Sequence, residues 1–172
     1  MSLLSRLLGR TPDPREALRP LWHRIVALSR EPGWYARGGV ADTVSGRFDV
    51  IALVTALVLL RMDGDPALRG PSARLTELFI EDMDGQLRQS GVGDLVVGKR
   101  MGKLMGALGG RIEALRSAVA APDDAALRAA VDRNVTLIEG ADPAAVATEL
   151  RVVAAQLAAL DNQALLAARI ER

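Results

Sequence analysis

The sequence predicts an all-α fold, a single domain built as a bundle of about six or seven helices. Of its 172 residues 49% are hydrophobic but only 3% aromatic. The core must therefore come from Ala, Leu, Val, Ile and Met, a mixture rich in helix formers and poor in the residues strands favour. Apolar residues recur at helical spacing, as in Leu75, Leu78, Phe79, Met83 and Leu87, and no segment alternates convincingly. Pro, Gly and Asp cluster between these runs, where helices stop and start.

In chain order, Met1 to Arg10 carries Leu3, Leu4, Leu7 and Leu8 with Arg6 and Arg10 and no acid before Asp13. Residues 1–12 are expected to be a flexible tail, with a short amphipathic turn as the alternative, and residues 13–172 the helical domain. Asp13-Pro14 suits a helix start, and the first helix is expected to reach about Arg30, with Pro20 kinking it or splitting it in two. Glu31-Pro32-Gly33 ends it. Trp34, Tyr35, Gly38 and Gly39 follow in an irregular segment, and Asp42-Thr43 reads as the cap of the next helix. That helix is apolar nearly all round from Phe48 to Leu60, so it should lie centrally; its apolar run is well short of the roughly 20 residues that span a bilayer.

Asp63-Gly64-Asp65-Pro66 is a turn, and a helix from near Ser72 should end at Ser90-Gly91. Another is expected from about Asp94 to Val119. After Pro122-Asp123, a helix should pass through Val131, Val135 and Ile138. Asp142-Pro143 then caps a long helix whose Val146, Leu150, Val153, Leu157 and Leu160 form a packing seam. The part after Pro122, residues 123–172, is Ala-rich and reads as generic support.

Composition excludes several functions. There is no cysteine, so disulfides, thiolate metal sites and Cys nucleophiles are ruled out, and the single His23 argues against a His-rich metal site or a Ser-His triad. A net charge of +1 gives no field drawing the chain onto DNA. Gly91-Val92-Gly93 lacks the Gly-Lys-Ser/Thr of a phosphate loop. No catalytic residue, metal or cofactor is expected.

Four features remain. Glu81, Asp82 and Asp84 form an acidic cluster, but positions two apart point to different sides of a helix, and Asp84 lies four residues from Arg88, the spacing of a surface ion pair. Lys99, Arg100 and Lys103, with Arg111 further on, make a basic helix surface able to meet RNA, lipid headgroups or an acidic partner, or simply water. Gly98, Gly102, Gly106 and Gly110 recur every four residues on that helix. Each costs about 1 kcal/mol relative to Ala, so close approach of another helix is expected there: an internal one by preference, or one from a partner. The sharpest feature is Asp42 to Asp49, in which Asp42 or Thr43 caps a helix and Arg47 pairs with Asp42 or Asp49, with Trp34 and Tyr35 just upstream. Residue chemistry alone leaves two options: a stapled structural corner, or an aromatic anchor for a partner.

Several separate blocks resemble the ubiquinol–cytochrome c chaperones, the Cbp3-like assembly factors of the cytochrome bc1 complex. They are Arg30-Glu31-Pro32 with Trp34-Tyr35, Val40 through Asp49, Asp82-Met83-Asp84, Leu87-Arg88, Gly91 through Leu95, and Val97 through Arg100. Together they cover roughly residues 20–112. The chain departs from the family pattern in having no histidine in Val50 to Leu60, Gln89 in place of the usual Glu, and Leu108-Gly109-Gly110-Arg111 where an aromatic pair is usual. The resemblance implies a helical assembly chaperone, not an enzyme, that binds newly made cytochrome b or another bc1 subunit and works near the ribosome. It implies a cytoplasmic place, with peripheral contact at the inner-membrane face. Carried over, Trp34, Tyr35, Asp42, Arg47 and Asp49 form one partner surface. Asp82, Asp84, Arg88, Lys99, Arg100 and Lys103 form a second, or the rim of the first. The alternative function is a ribosome- or RNA-associated factor acting through Lys99, Arg100 and Lys103.

Overall fold

The computed structural model describes residues 13–89 and 97–171, with only the backbone described for Leu87 and residues 97–100. Among the described residues there are seven α-helices: α1 (Arg19–Ser29), α2 (Val44–Asp63), α3 (Arg69–Gln89), α4 (Val97–Ala120), α5 (Ala125–Asn134), α6 (Pro143–Ala159) and α7 (Asn162–Leu166). The architecture is the expected helical bundle, and α2 is its hub, packing on α1, α3, α4 and α6. Every residue from Val50 to Leu59 is buried, as an all-round apolar helix requires. Its one polar member, Thr55, stays dry by donating its hydroxyl to the Ile51 carbonyl at 2.7 Å. No described helix is long and apolar enough to cross a membrane.

The punctuation works as its chemistry suggests. Thr43 caps α2 by accepting from the Gly46 amide at 3.2 Å, and Asp142 caps α6 by accepting from the Ala144 amide at 2.8 Å. Pro20 falls in the first turn of α1, where its missing N–H costs nothing, so the first helical segment is split: a short turn at Glu16–Leu18, then α1. Asp13 accepts from the Arg15 amide and guanidinium, which hold its carboxyl down at about 2, and Arg15 reaches on to Glu81 of α3. The α6 seam is buried at Val146, Leu150, Val153 and Leu157 and partly buried at Leu160.

Two elements differ from expectation. α3 starts at Arg69, ahead of Ser72, with Gly70 and Pro71 in its first turn. α5 stops at Asn134 and does not run through Val135 to Ile138. The reason is tertiary: both the amide and the hydroxyl of Thr136 donate to the Asp49 carboxylate of α2, at 2.8 Å each. The Thr136 carbonyl and the Ile138 amide are taken by the extended segment before α2, through Ala41 N (2.9 Å) and Gly39 O (2.8 Å). An i−4 helical ladder cannot form where these partners compete. The contact is close because Gly39 sits at φ +69° with the Ala141 side chain where a Cβ would be.

Candidate functional site

α1 ends at Ser29, which leaves its last carbonyls without intrahelical partners. Trp34 and Tyr35 supply them. The indole Nε1 of Trp34 donates to the Leu28 carbonyl and the phenol of Tyr35 to the Ser29 carbonyl, both at 2.8 Å. This follows from the wide turn of Gly33–Arg37, closed by the Gly38 amide on the Gly33 carbonyl at 2.9 Å, which folds the chain back under the helix end. Trp34 is 0% exposed, so its ring belongs to the core and offers no surface to a partner. Tyr35 is half-buried, and burial raises its phenol pKa.

The α2 start is held by a second device. Gly46 packs so tightly that a Cβ would stand 2.0 Å from the Ala41 carbonyl oxygen. Asp49, 7% exposed, faces inward, where its carboxylate takes the Arg111 guanidinium of α4 and both Thr136 donors. Arg111 also donates to the Asn134 carbonyl at 2.9 Å and lies 5.5 Å from the Phe48 ring centroid. One buried ion pair thus joins α2, α4 and the end of α5. Of the two partners left open for Arg47, the structure selects Asp42, at 2.7 Å on an exposed surface; the Arg47 guanidinium lowers the Asp42 carboxyl pKa. Arg111 is the correction to the expected basic surface: at 9% exposure it is an interior residue, held there by Asp49.

Between these devices lies an open cleft of about 670 Å³. Its walls come from α1 and its C-cap (Val26, Ser29, Arg30), the start of α2 (Val44 to Ile51), the last turns of α3 (Met83, Gln86) and the second and third turns of α4 (Lys103, Leu104, Ala107), with Tyr35 and Thr136. Four sequence-derived candidates meet here: Tyr35, Arg47, Asp49 and Lys103. The others do not. Trp34 is buried in the core and does not line the cleft, and Asp42 sits outside it, pairing with Arg47. Asp84 pairs with Arg88 along α3 at 2.7 Å. Asp82 borders a separate polar groove with His23, Arg19 and Glu81. Lys99 and Arg100 have side chains outside the described residues. Thr136 had no signal in the sequence, and Arg30 and Met83 had been named only within a helix end, an apolar stripe and the quoted blocks. Phe48 and Arg111 stood in quoted sequence blocks, but only the fold shows them stacked behind the cleft.

The glycine row also turns out differently from the preferred internal packing. Gly102, Gly106 and Gly110 are exposed, and a Cβ on any of them would meet nothing within 4 Å among the described residues. Gly98 lies outside the described side chains. Met101 (44% exposed) and Met105 (50%) flank this bare face.

The fold and the site define a class, an all-helical bundle with an open, largely apolar cleft. A family model for ubiquinol–cytochrome c chaperones matches residues 36–171, and the chain belongs to that family. The match takes in the Ala-rich C-terminal part. The crystal structure of the Cbp3 homolog from Brucella abortus is similar over 98% of this chain and 95% of that one, with 31% sequence identity and a TM-score of 0.80. No curated protein matches the sequence.

Proposed function

We propose that this protein assists assembly of the cytochrome bc1 complex by holding a segment of an unassembled membrane subunit, cytochrome b or a neighbour, in the cleft between α1, α2, α3 and α4. The observation that carries this is the cleft itself: an apolar floor open to solvent, framed by residues of the Val40-to-Asp49 block. A subunit destined for lipid exposes apolar surface in water until it is assembled, and a groove that shields it needs shape and apolar contact, not a catalytic group. In this role the buried Trp34 and the Asp49–Arg111 pair shape the cleft from behind, while Tyr35, Arg47 and Lys103 meet the client. The work is done at the cytoplasmic face of the inner membrane. In the native host, Ser45→Trp, which fills the cleft from an exposed position, should lower the level of assembled bc1 complex and the co-purification of cytochrome b with the tagged chaperone. Normal bc1 levels in that variant would refute the function.

A second role, contact with the ribosome, is favoured by Lys103, which is exposed and has no ion-pair partner among the described residues. Ribosome binding that falls steeply with salt and is lost on charge reversal of Lys99, Arg100 and Lys103 would support it.

A further inference from the structure

We propose that the cleft receives the C-terminal end of an apolar client helix, and that Arg30, Arg47 and Lys103 hold the negative charge of that end. The proposal deepens the client-holding function and depends on it.

Size sets the length of the occupant. A helix 10–12 Å across rises 1.5 Å per residue, so a cleft of about 670 Å³ houses roughly four to six residues of it. That is little more than one turn. The end of a helix is enough to fill the groove.

Charge sets the polarity. Among the described residues the lining holds three cations, Arg30, Arg47 and Lys103, and one acid, Asp49, which Arg111 already neutralises. The side chains of Arg30 and Lys103 have no hydrogen bond or ion pair among the described residues, and the Arg47 guanidinium bonds the exposed Asp42. The mouth is therefore positive over an apolar floor. A helix C-terminus presents partial negative charge and its last carbonyls without partners. A carboxylate there, unfavourable for the helix alone, would be compensated by these cations. A helix N-terminus would set like charge against like.

Polar side chains decide between polypeptide and lipid. Ser45 and Gln86 line the cleft with no side-chain hydrogen bond among the described residues. Both can donate to terminal carbonyls of a peptide, whereas an acyl chain would leave them unmatched along its length.

The test uses the whole chain and two short, fluorescently labelled Leu/Ala-rich peptides, one ending in Glu-Glu with a free carboxyl group, the other in Lys-Lys-amide. Fluorescence anisotropy at low salt should show the acidic peptide binding at least about tenfold more tightly, with the difference shrinking as salt screens the mouth. Combined Arg30→Glu and Lys103→Glu should reverse the preference; Arg30 caps the end of α1, so a small fall in melting temperature accompanies that variant, while Lys103→Glu alone, at an exposed position inside α4, should weaken the preference without moving the melting temperature. Equal affinity for the two peptides, or no binding of either, would overturn the proposal. So would phosphatidylglycerol vesicles that displace the acidic peptide, which would assign the mouth to a lipid headgroup. If Ser45→Trp abolishes bc1 assembly while the charge-reversed chain supports it, this proposal falls and the client-holding function stands. If Ser45→Trp leaves assembly intact, the function itself fails.

Discussion

Where α4 and α6 finish, arginines from other elements turn inward onto the helix ends. Arg151 donates to the carbonyls of Val119 (3.0 Å), Ala121 (3.3 Å) and Asp123 (3.0 Å), and Arg61 to those of Leu157 (3.1 Å) and Leu160 (2.6 Å). Arg111 does the same for Asn134 at the end of α5. At the cleft the cations point the other way: Arg30 and Lys103 face solvent with nothing in the described chain to neutralise them. Residue type does not separate the two groups; access to orphaned carbonyls does. A guanidinium with five donors can satisfy several backbone acceptors at once, and a helix C-terminus offers them within one turn. The inward set should therefore act on stability alone and the outward set on binding alone.

Removing the buried pair should break that division most severely. Asp49→Ala leaves Arg111 charged and buried and frees Thr136, so urea denaturation should show a loss of about 3–5 kcal/mol, with the cleft lost alongside the fold. Trp34→Phe removes the indole donor to the Leu28 carbonyl and leaves a small void in the core, and a loss of about 1–3 kcal/mol is expected by the same measurement. Arg61→Ala should cost a similar or smaller amount, about 1–2 kcal/mol, while leaving client capture at the wild-type level; impaired capture in a stably folded Arg61→Ala protein would erase the distinction between the two sets. Gly106→Ala should go the other way and stabilise the chain by up to about 1 kcal/mol, because a Cβ there meets open space. If stability rises while client capture falls, the bare face of α4 belongs to the binding side of the comparison.

The smallest effect lies at the rim. The Asp42 carboxyl, lowered by Arg47, keeps its charge somewhat below the usual 3.8. A lowered acid stabilises the folded state above its ordinary value, and that contribution fades as pH falls through the lowered one. An NMR titration of Asp42 should move its midpoint back up in Arg47→Ala.

Much of this was legible in the sequence. Thr43 and Asp142 carry their caps as local chemistry, the Val50-to-Leu60 run declares a central helix by its lack of a polar face, and the four-residue spacing of Asp84 and Arg88 gives their pair. The C-terminal limit of α5 was not legible, because Val131, Val135 and Ile138 continue a helical pattern and only Asp49, far away in sequence, captures Thr136. The role of Trp34 was hidden for a related reason: an aromatic beside a turn reads equally well as an anchor for a partner, and its direction depends on the carbonyl it must satisfy. The four cleft residues Tyr35, Arg47, Asp49 and Lys103 were visible one by one, but their meeting depends on how α4 crosses α2. All five aromatics sit on this side of the molecule. Trp22, Phe79 and Phe48 form a line of rings 6.1 and 6.3 Å apart between α1, α3 and α2, and Trp34 and Tyr35 seal the end of α1.

The buried hub α2 has a consequence for the chain's own birth. Its walls include α6, whose Leu157 is made about a hundred residues after Leu59, so at 5–20 residues per second the most apolar stretch of the protein waits on the order of 5–20 s for its last covering. During that interval α1 and α3 shelter it first, and α4 once it has been made. The chain thus begins life with a greasy segment of its own to hide, and variants that weaken the early α1–α2–α3 packing should surface first as poor yield of the nascent chain, ahead of any defect in the finished fold.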